Sequence, residues 1–161
     1  MSSSDLEDFL PSMENNYVQM VKDYAAKEGS LVVPICAKIE AEIAQLPPEE
    51  RPEFLESVGL KESGLSRLIR TSFDMLGLIT YLTTGEIETR AWTIKRGTPA
   101  VEAAGKIHSD IQKGFIRAET IGYEDFISCG GRVGAREAGK ARSEGRDYIV
   151  QDGDVILFMH N

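Results

Sequence analysis

The 161-residue chain holds only two cysteines, two histidines and one tryptophan. Cys36 and Cys129 stand far apart and neither belongs to a CxxC pair. That spacing argues against a structural zinc site and against a secreted disulfide framework, and two reduced thiols are expected. No apolar run approaches the ~18 residues that a bilayer-spanning helix needs. The start "MSSSDLEDFLP" is acidic where a signal or transit peptide is basic, so a cytoplasmic location and no membrane partner are expected. Positive charge is also short. The net charge of −8 argues against bulk adhesion to nucleic acid. A catalytic constellation is missing as well: there is no HExxH and no nucleophile elbow, and the paired acids fall on charged loops or helix starts. His108 lies on a helical stripe beside Ile107 with no partner group, the ordinary setting of a core or rim histidine. No catalytic residue and no metal ligand is assigned, and the chain alone is not expected to be an enzyme.

What is present is an apolar fraction of 42%, enough for one ordinary domain or two small ones. The charge is uneven: residues 1–77 carry 7 basic against 14 acidic side chains, and residues 78–161 carry 11 against 12. Within the second half the bases gather in "RVGAREAGKARSEGR".

The first half reads as helices around one strand. Tyr17, Met20, Val21, Tyr24 and Ala25 form the stripe of a helix stopped by Gly29. "LVVPI" has the continuous apolar, β-branched character of a strand buried on both faces, and "AKIEAEIAQL" is a helix closed by Pro47 and Pro48. A short proline-started helix follows in "PPEERPEFLESVGL". A longer one then places Leu65, Leu68, Ile69, Phe73 and Leu76 on one stripe, with Ser63 as N-cap and Gly77 as stop. A lone strand buried on both faces needs neighbours, and none precedes it. Residues 1–77 are therefore expected to be the tail of a larger α/β domain.

From Leu78 the period changes. "LITYLTT" and "RAWTIK" read as a hairpin joined through "GEIET". "TPAVEAAGKIHSD" reads as a helix with Thr98 as N-cap and Pro99 at its first position. A strand "GFIRAETIG", a short helix "YEDFIS", a weakly helical basic stretch and a final "YIVQDGDVILFMH" complete the order, which suggests a small mixed sheet curled around one helix.

Three motifs tempt a functional reading. "GAREAGKA", Gly134 to Ala141, fits a GxxxxGK phosphate loop up to its last position. Ala141 cannot ligate magnesium, no buried strand precedes the loop, and Glu137 would sit among the phosphates. A Gly-containing surface helix is the better reading. "GRVG" is a GXXG of the kind KH domains use, but without their flanking helices. As a helix, the same stretch sets Arg132, Arg136 and Lys140 on one i, i+4 face, with Arg142 and Arg146 nearby. Such a stripe suits phosphates; the other reading is a solvated face paired with Glu137 and Glu144. Asp152-Gly153-Asp154 offers at most two carboxylates and no third acid at calcium-loop spacing, so it reads as a turn that sets the register of the closing strand.

The segments "AAKEGSLVVPICAKIEAEIAQL", "RAWTIKRGTPAVEAAGKIHSDIQKGFIRAETIGYEDF" and "AGKARSEGRDYIVQDGDVILF" closely resemble the C-terminal portion of the Obg-like ATPase family, known in bacteria as YchF, from about Tyr17 onward. The resemblance implies an α/β (α+β) fold: residues 78–161 a β-grasp TGS domain, preceded in residues 1–77 by the helix-strand-helix end of a P-loop nucleotide-binding domain. It implies that the fifth guanine-nucleotide motif, whose backbone lies beside the base, falls on Cys36-Ala37-Lys38, with Cys in place of the usual Ser. It further implies ATP (or GTP) and Mg in a full-length parent, an ATP-hydrolysing, ribosome-associated factor, with no cofactor in this chain. The P-loop, the switches and the base-reading Asn motif would belong to the nucleotide-binding domain that precedes these residues. Two roles follow for the TGS part: a module for ribosome, RNA or protein through Arg132, Arg136, Lys140, Arg142 and Arg146, or an intramolecular lid on the nucleotide domain with no nucleic-acid contact.

Overall fold

A computed structural model describes residues 15–85 and 88–161. The chain divides between Ser72 and Phe73 into two compact units. The proposed hairpin connection includes residues 86 and 87, which lie outside the described residues, as does the acidic start.

Among the described residues, the first unit holds four helices: α1 (Asn16–Glu28), α2 (Ala37–Gln45), α3 (Arg51–Ser57) and α4 (Gly64–Met75), the last running past the division. The Asn15 side chain accepts from Val18 N–H at 2.9 Å at the start of α1. Gly29, at φ +68°, ends that helix, with Ser30 N–H returning to the Ala25 carbonyl at 2.8 Å. This paired return to earlier carbonyls satisfies groups that the helix end would leave bare. Ser63 caps α4 as the sequence predicts, its Oγ accepting from Ser66 N–H at 3.1 Å. A second acceptor reaches the same end from a distance: the Glu40 carboxylate on α2 takes the Gly64 amide at 2.6 Å.

One expectation fails in this unit, and one helix face lies open. "LVVPI" is not a strand: residues 31–35 form no helix and join no ladder among the described residues, and Leu31 is 59% exposed. A strand forms only where a neighbour takes its amides. Here the Pro34 carbonyl is held instead by the Arg67 guanidinium at 2.9 Å. The α1 stripe is also not buried. Tyr17, Met20, Val21 and Tyr24 stand exposed and only Ala25 is covered, while Ile39, Ile43 and Val58 are buried.

The second unit is a five-stranded sheet with short helices on both of its faces. Its strands are β1 (Leu78–Thr84), β2 (Thr89–Lys95), β3 (Phe115–Gly122), β4 (Arg142–Glu144) and β5 (Asp154–His160), in the order β2-β1-β5-β3-β4. β1 and β2 pair antiparallel from Leu78↔Lys95 to Thr84↔Thr89. β5 lies parallel to β1 at Leu82↔Val155 and antiparallel to β3. With α5 (Ala100–Ile107) packed on the sheet, this is the β-grasp arrangement that the resemblance implies.

Alternation decides which residues meet α5. Ile79, Tyr81, Ile94, Phe115, Ala118, Ile156 and Phe158 point to one side, where Ala100, Ala103 and Ala104 are fully covered. Three alanines let the helix lie close enough for the Tyr81 hydroxyl to donate to the Ala103 carbonyl at 2.8 Å. Tyr81 meets the Phe158 ring edge-on with centroids 6.0 Å apart, a favoured aromatic geometry. Burial raises the Tyr81 pKa well above the ordinary phenol range.

Three further details differ from the sequence reading. Pro99, not Thr98, is the N-cap of α5, and the Thr98 hydroxyl donates to the Lys95 carbonyl at 2.7 Å instead. His108 ends α5 and caps α6 (Ser109–Lys113), its Nδ1 accepting from Asp110 N–H at 3.2 Å; it is an exposed corner, not part of a buried stripe. The basic stretch after Glu137 is not helical throughout: it contains β4, paired with β3 at Ala118↔Glu144.

Candidate functional site

The basic cluster sits on α7 (Tyr123–Ser128), α8 (Arg132–Glu137) and β4. The chain enters α8 through two glycines with positive φ, Gly130 and Gly131, which only glycine adopts without strain. Gly134 faces a different demand: a Cβ there would lie 2.0 Å from the Cys129 carbonyl oxygen. Both glycines of "GRVG" are thus required by the turn between α7 and α8.

α8 stops at Glu137. Gly139 takes φ +69°, its N–H returning to Arg136 at 3.0 Å and that of Lys140 to Ala135 at 2.8 Å, which is a Schellman termination. The GK of "GAREAGKA" is therefore a helix stop. With Gly134 pressed on Cys129, this segment does not form a cradle for phosphates, and the fit to ATP and magnesium fails here. Cys36-Ala37-Lys38 marks the entry to α2: Cys36 is extended, at φ −94° and ψ 102°, and makes no side-chain cap. The three residues thus pass from extended backbone into a helix N-terminus. Among the described residues, no group of three or more His, Cys, Asp or Glu side chains is placed to hold a metal ion, and no helix is long and apolar enough to cross a membrane.

The five candidate contacts do not form one helical stripe. Lys140 lies beyond α8, and Arg142 is on β4. Arg132 and Arg136 converge on one acid that the sequence reading missed, Glu119 of β3. Arg132 Nη1 donates to its carboxylate at 3.0 Å and also reaches the Thr84 hydroxyl through Nη2 at 3.1 Å. Arg136 binds the same carboxylate with both Nε and Nη2, at 2.8 and 3.0 Å. Hydrogen bonding from Arg136 lowers the Glu119 pKa, against the opposing effect of burial and with Arg132 adding to it. Lys140 faces Asp125 at 3.3 Å.

Arg142 belongs to a second group. It donates to Glu144 at 3.1 Å and to the Tyr148 hydroxyl at 3.1 Å. Tyr148 in turn donates to Asp154, which is only 3% exposed, at 2.8 Å, and Asp154 also takes the Gln151 amide at 2.8 Å. Burial first, and the bond to Asp154 second, push the Tyr148 pKa up to about 12. Arg146 stands over the Phe115 ring at 5.8 Å.

The Asp152-Gly153-Asp154 triplet is a turn, with Gly153 at φ +79°. It does not join two paired strands. Asp152 accepts from Thr80 N–H at 2.8 Å, and the Thr80 carbonyl takes Gly153 N–H at 2.8 Å. The turn thereby fixes the start of β5 against β1, the central parallel pair.

Side-chain exposure separates four of the five cations. Arg132 is 15% exposed and held by Glu119 and Thr84, whereas Arg136, Lys140 and Arg142 are each about half exposed, at 48%, 52% and 46%. A surface ion pair of the second kind is worth little and exchanges partners easily.

Comparison with known proteins agrees with this fold. A family model, YchF-GTPase_C, described as "Protein of unknown function (DUF933)", matches residues 78–161. The Ribosome-binding ATPase YchF of Escherichia coli O157:H7 is 58% identical over 149 residues, covering 92% of this chain and 41% of that protein. The Ribosome-binding ATPase YchF of Bacillus subtilis (strain 168) is 56% identical over 147 residues, covering 91% and 40%. The chain thus spans about two fifths of the length of the curated relatives it matches. The solved Schizosaccharomyces pombe YchF GTPase superposes with a TM-score of 0.78 at 33% identity, covering 95% of this chain and 40% of that one. The chain belongs to the YchF-GTPase C-terminal family.

Proposed function

We propose that this chain is the C-terminal part of a YchF-type, ATP-hydrolysing, ribosome-associated protein of the cytoplasm. On this reading residues 78–161 are a TGS module that contacts the ribosome, through RNA or protein. The observation that carries it is the 58% identity, across 92% of the chain, to a protein named a ribosome-binding ATPase. Residues 1–77 would be the end of a nucleotide-binding domain, with the Cys36-Ala37-Lys38 turn beside the base. The exposed apolar stripe of α1 supports that assignment, because it has the pattern of a buried helix face without a cover among the described residues.

Within the basic cluster, Arg136, Lys140, Arg142 and Arg146 carry the proposed contact, and Arg132 holds α8 against β3. Arg136, Lys140 and Arg142, partly exposed and already paired with acids, can exchange those acids for phosphates and release counterions. The test is co-sedimentation of the 161-residue chain with ribosomal subunits against rising salt. Replacing Arg136, Lys140 and Arg142 together by Gln should weaken association and flatten its salt dependence. Unchanged binding and an unchanged slope would remove this cluster from the interface. Absence of any subunit binding by the unaltered chain would overturn the module reading.

A further inference from the structure

β2 is one edge of the five-stranded sheet. Its ladder with β1 is fixed at both ends: Arg96 N–H donates to the Gly77 carbonyl at 2.7 Å and Gly85 N–H to the Glu88 carbonyl at 2.9 Å. Hydrogen-bonded pairs alternate along an antiparallel ladder. Arg90, Trp92, Ile94 and Arg96 therefore direct their amides toward β1, and Thr89, Ala91, Thr93 and Lys95 direct theirs outward. Among the described residues, only the Lys95 carbonyl on that side is taken, by the Thr98 amide at 3.1 Å and hydroxyl at 2.7 Å.

Proteins guard such edges with proline, inward charges, bulges or shortness. The opposite edge, β4, is three residues long and begins and ends on charges, Arg142 and Glu144. β2 is seven residues long with no proline, and before Lys95 its one charge is Arg90, whose guanidinium lies over the Trp92 ring; the residues whose amides face outward, Thr89, Ala91 and Thr93, are uncharged and exposed.

The side chains along β2 are complementary to those of a second β2. An antiparallel pairing centred on Trp92 sets Ala91 opposite Thr93, Thr89 opposite Lys95 and Glu88 opposite Arg96 of the other copy. Ala91 and Thr93 then exchange both amide bonds, and Lys95 N–H meets the Thr89 carbonyl. The same register brings the opposite charges of Glu88 and Arg96 together at each end, in non-hydrogen-bonded pairs whose side chains approach closely. Among the described residues the Arg96 side chain has only a long contact of 3.7 Å with Asp74, both side chains about two thirds exposed, so little holds it back.

We propose that β2 is a self-association edge, through which two copies of this chain pair antiparallel about Trp92 and join their sheets into one. The pairing is isologous, so it closes at a dimer. Trp92 is the only tryptophan in the chain and sits on the axis, with the Arg90 guanidinium 4.3 Å from its ring; its fluorescence reports the event directly.

Sedimentation equilibrium of the 161-residue chain, from micromolar to millimolar concentration, tests the proposal alongside the emission spectrum. A reversible dimer with a concentration-dependent shift of the Trp92 emission is expected. Thr93→Pro removes an outward N–H without removing a bond to β1, and should abolish the dimer. Glu88→Arg and Arg96→Glu should each weaken it, roughly three- to tenfold, and the double exchange should restore it, which keeps the test decisive if the proline variant folds poorly. A monomer at every concentration overturns the proposal. So does a dimer untouched by Thr93→Pro, or a double exchange that fails to recover association.

Discussion

Glu119 on β3 and Arg136 on α8 are joined by two parallel hydrogen bonds, from Nε at 2.8 Å and from Nη2 at 3.0 Å. The pair fastens α8 to the sheet with Arg132 as a third member, so one strand carboxylate determines where two of the clustered cations stand. Bidentate, charge-assisted bonds of this kind are the stronger class.

Glu119→Gln should therefore lower stability by about 1–3 kcal/mol at neutral pH. The Glu119 pKa is lowered in the folded chain. Its contribution is thus fully present above the unfolded carboxylate range and is lost as pH falls through the folded value. Urea midpoints of the two proteins should differ at neutral pH and converge in acid; a constant gap would show that charge is not what Glu119 supplies.

Tyr148→Phe should cost about 1–2 kcal/mol, because it leaves the buried Asp154 with one acceptor position unmatched. Here the folded pKa is raised, to about 12, so the sign reverses. The contribution is complete below the ordinary phenol range and disappears as pH rises through the folded value. Absorbance titration of the tyrosinates should show, besides Tyr81, a late group that is missing from Tyr148→Phe.

The glycines of the basic loop should separate into two kinds. Gly134→Ala places a Cβ 2.0 Å from a backbone oxygen and should cost 2 kcal/mol or more, roughly the upper part of the overpacking range. Gly139→Ala meets nothing within 4 Å but sits at φ +69°, for a cost of about 1–2 kcal/mol. Thermal melts of the two variants should rank in that order.

In the first unit, Glu40→Gln should destabilise α4 by about 0.5–1 kcal/mol, since its carboxylate meets the N-terminal amides of Gly64 and Leu65. Hydrogen exchange at these two amides should speed up while exchange in β3 stays the same.

Whatever depends on near neighbours was legible along the chain. Ser63 caps α4 and Gly29 ends α1 because the donors and acceptors involved lie within a few residues of each other. The hairpin of β1 and β2 and the positive φ at Gly153 follow from alternation and turn chemistry in the same way. Only the tertiary structure decided the partners of the charged side chains. Arg132, Arg136 and Lys140 look like one helical stripe in sequence, yet Glu119 lies 13 and 17 residues from the two arginines, and it becomes their neighbour only when α8 folds back over β3. β4 escaped notice because three residues carry no period and become a strand only through β3. "LVVPI" is the converse: its pattern is that of a strand, but a strand is a pairing between segments, and in this chain the Pro34 carbonyl is taken by Arg67 in place of a strand neighbour.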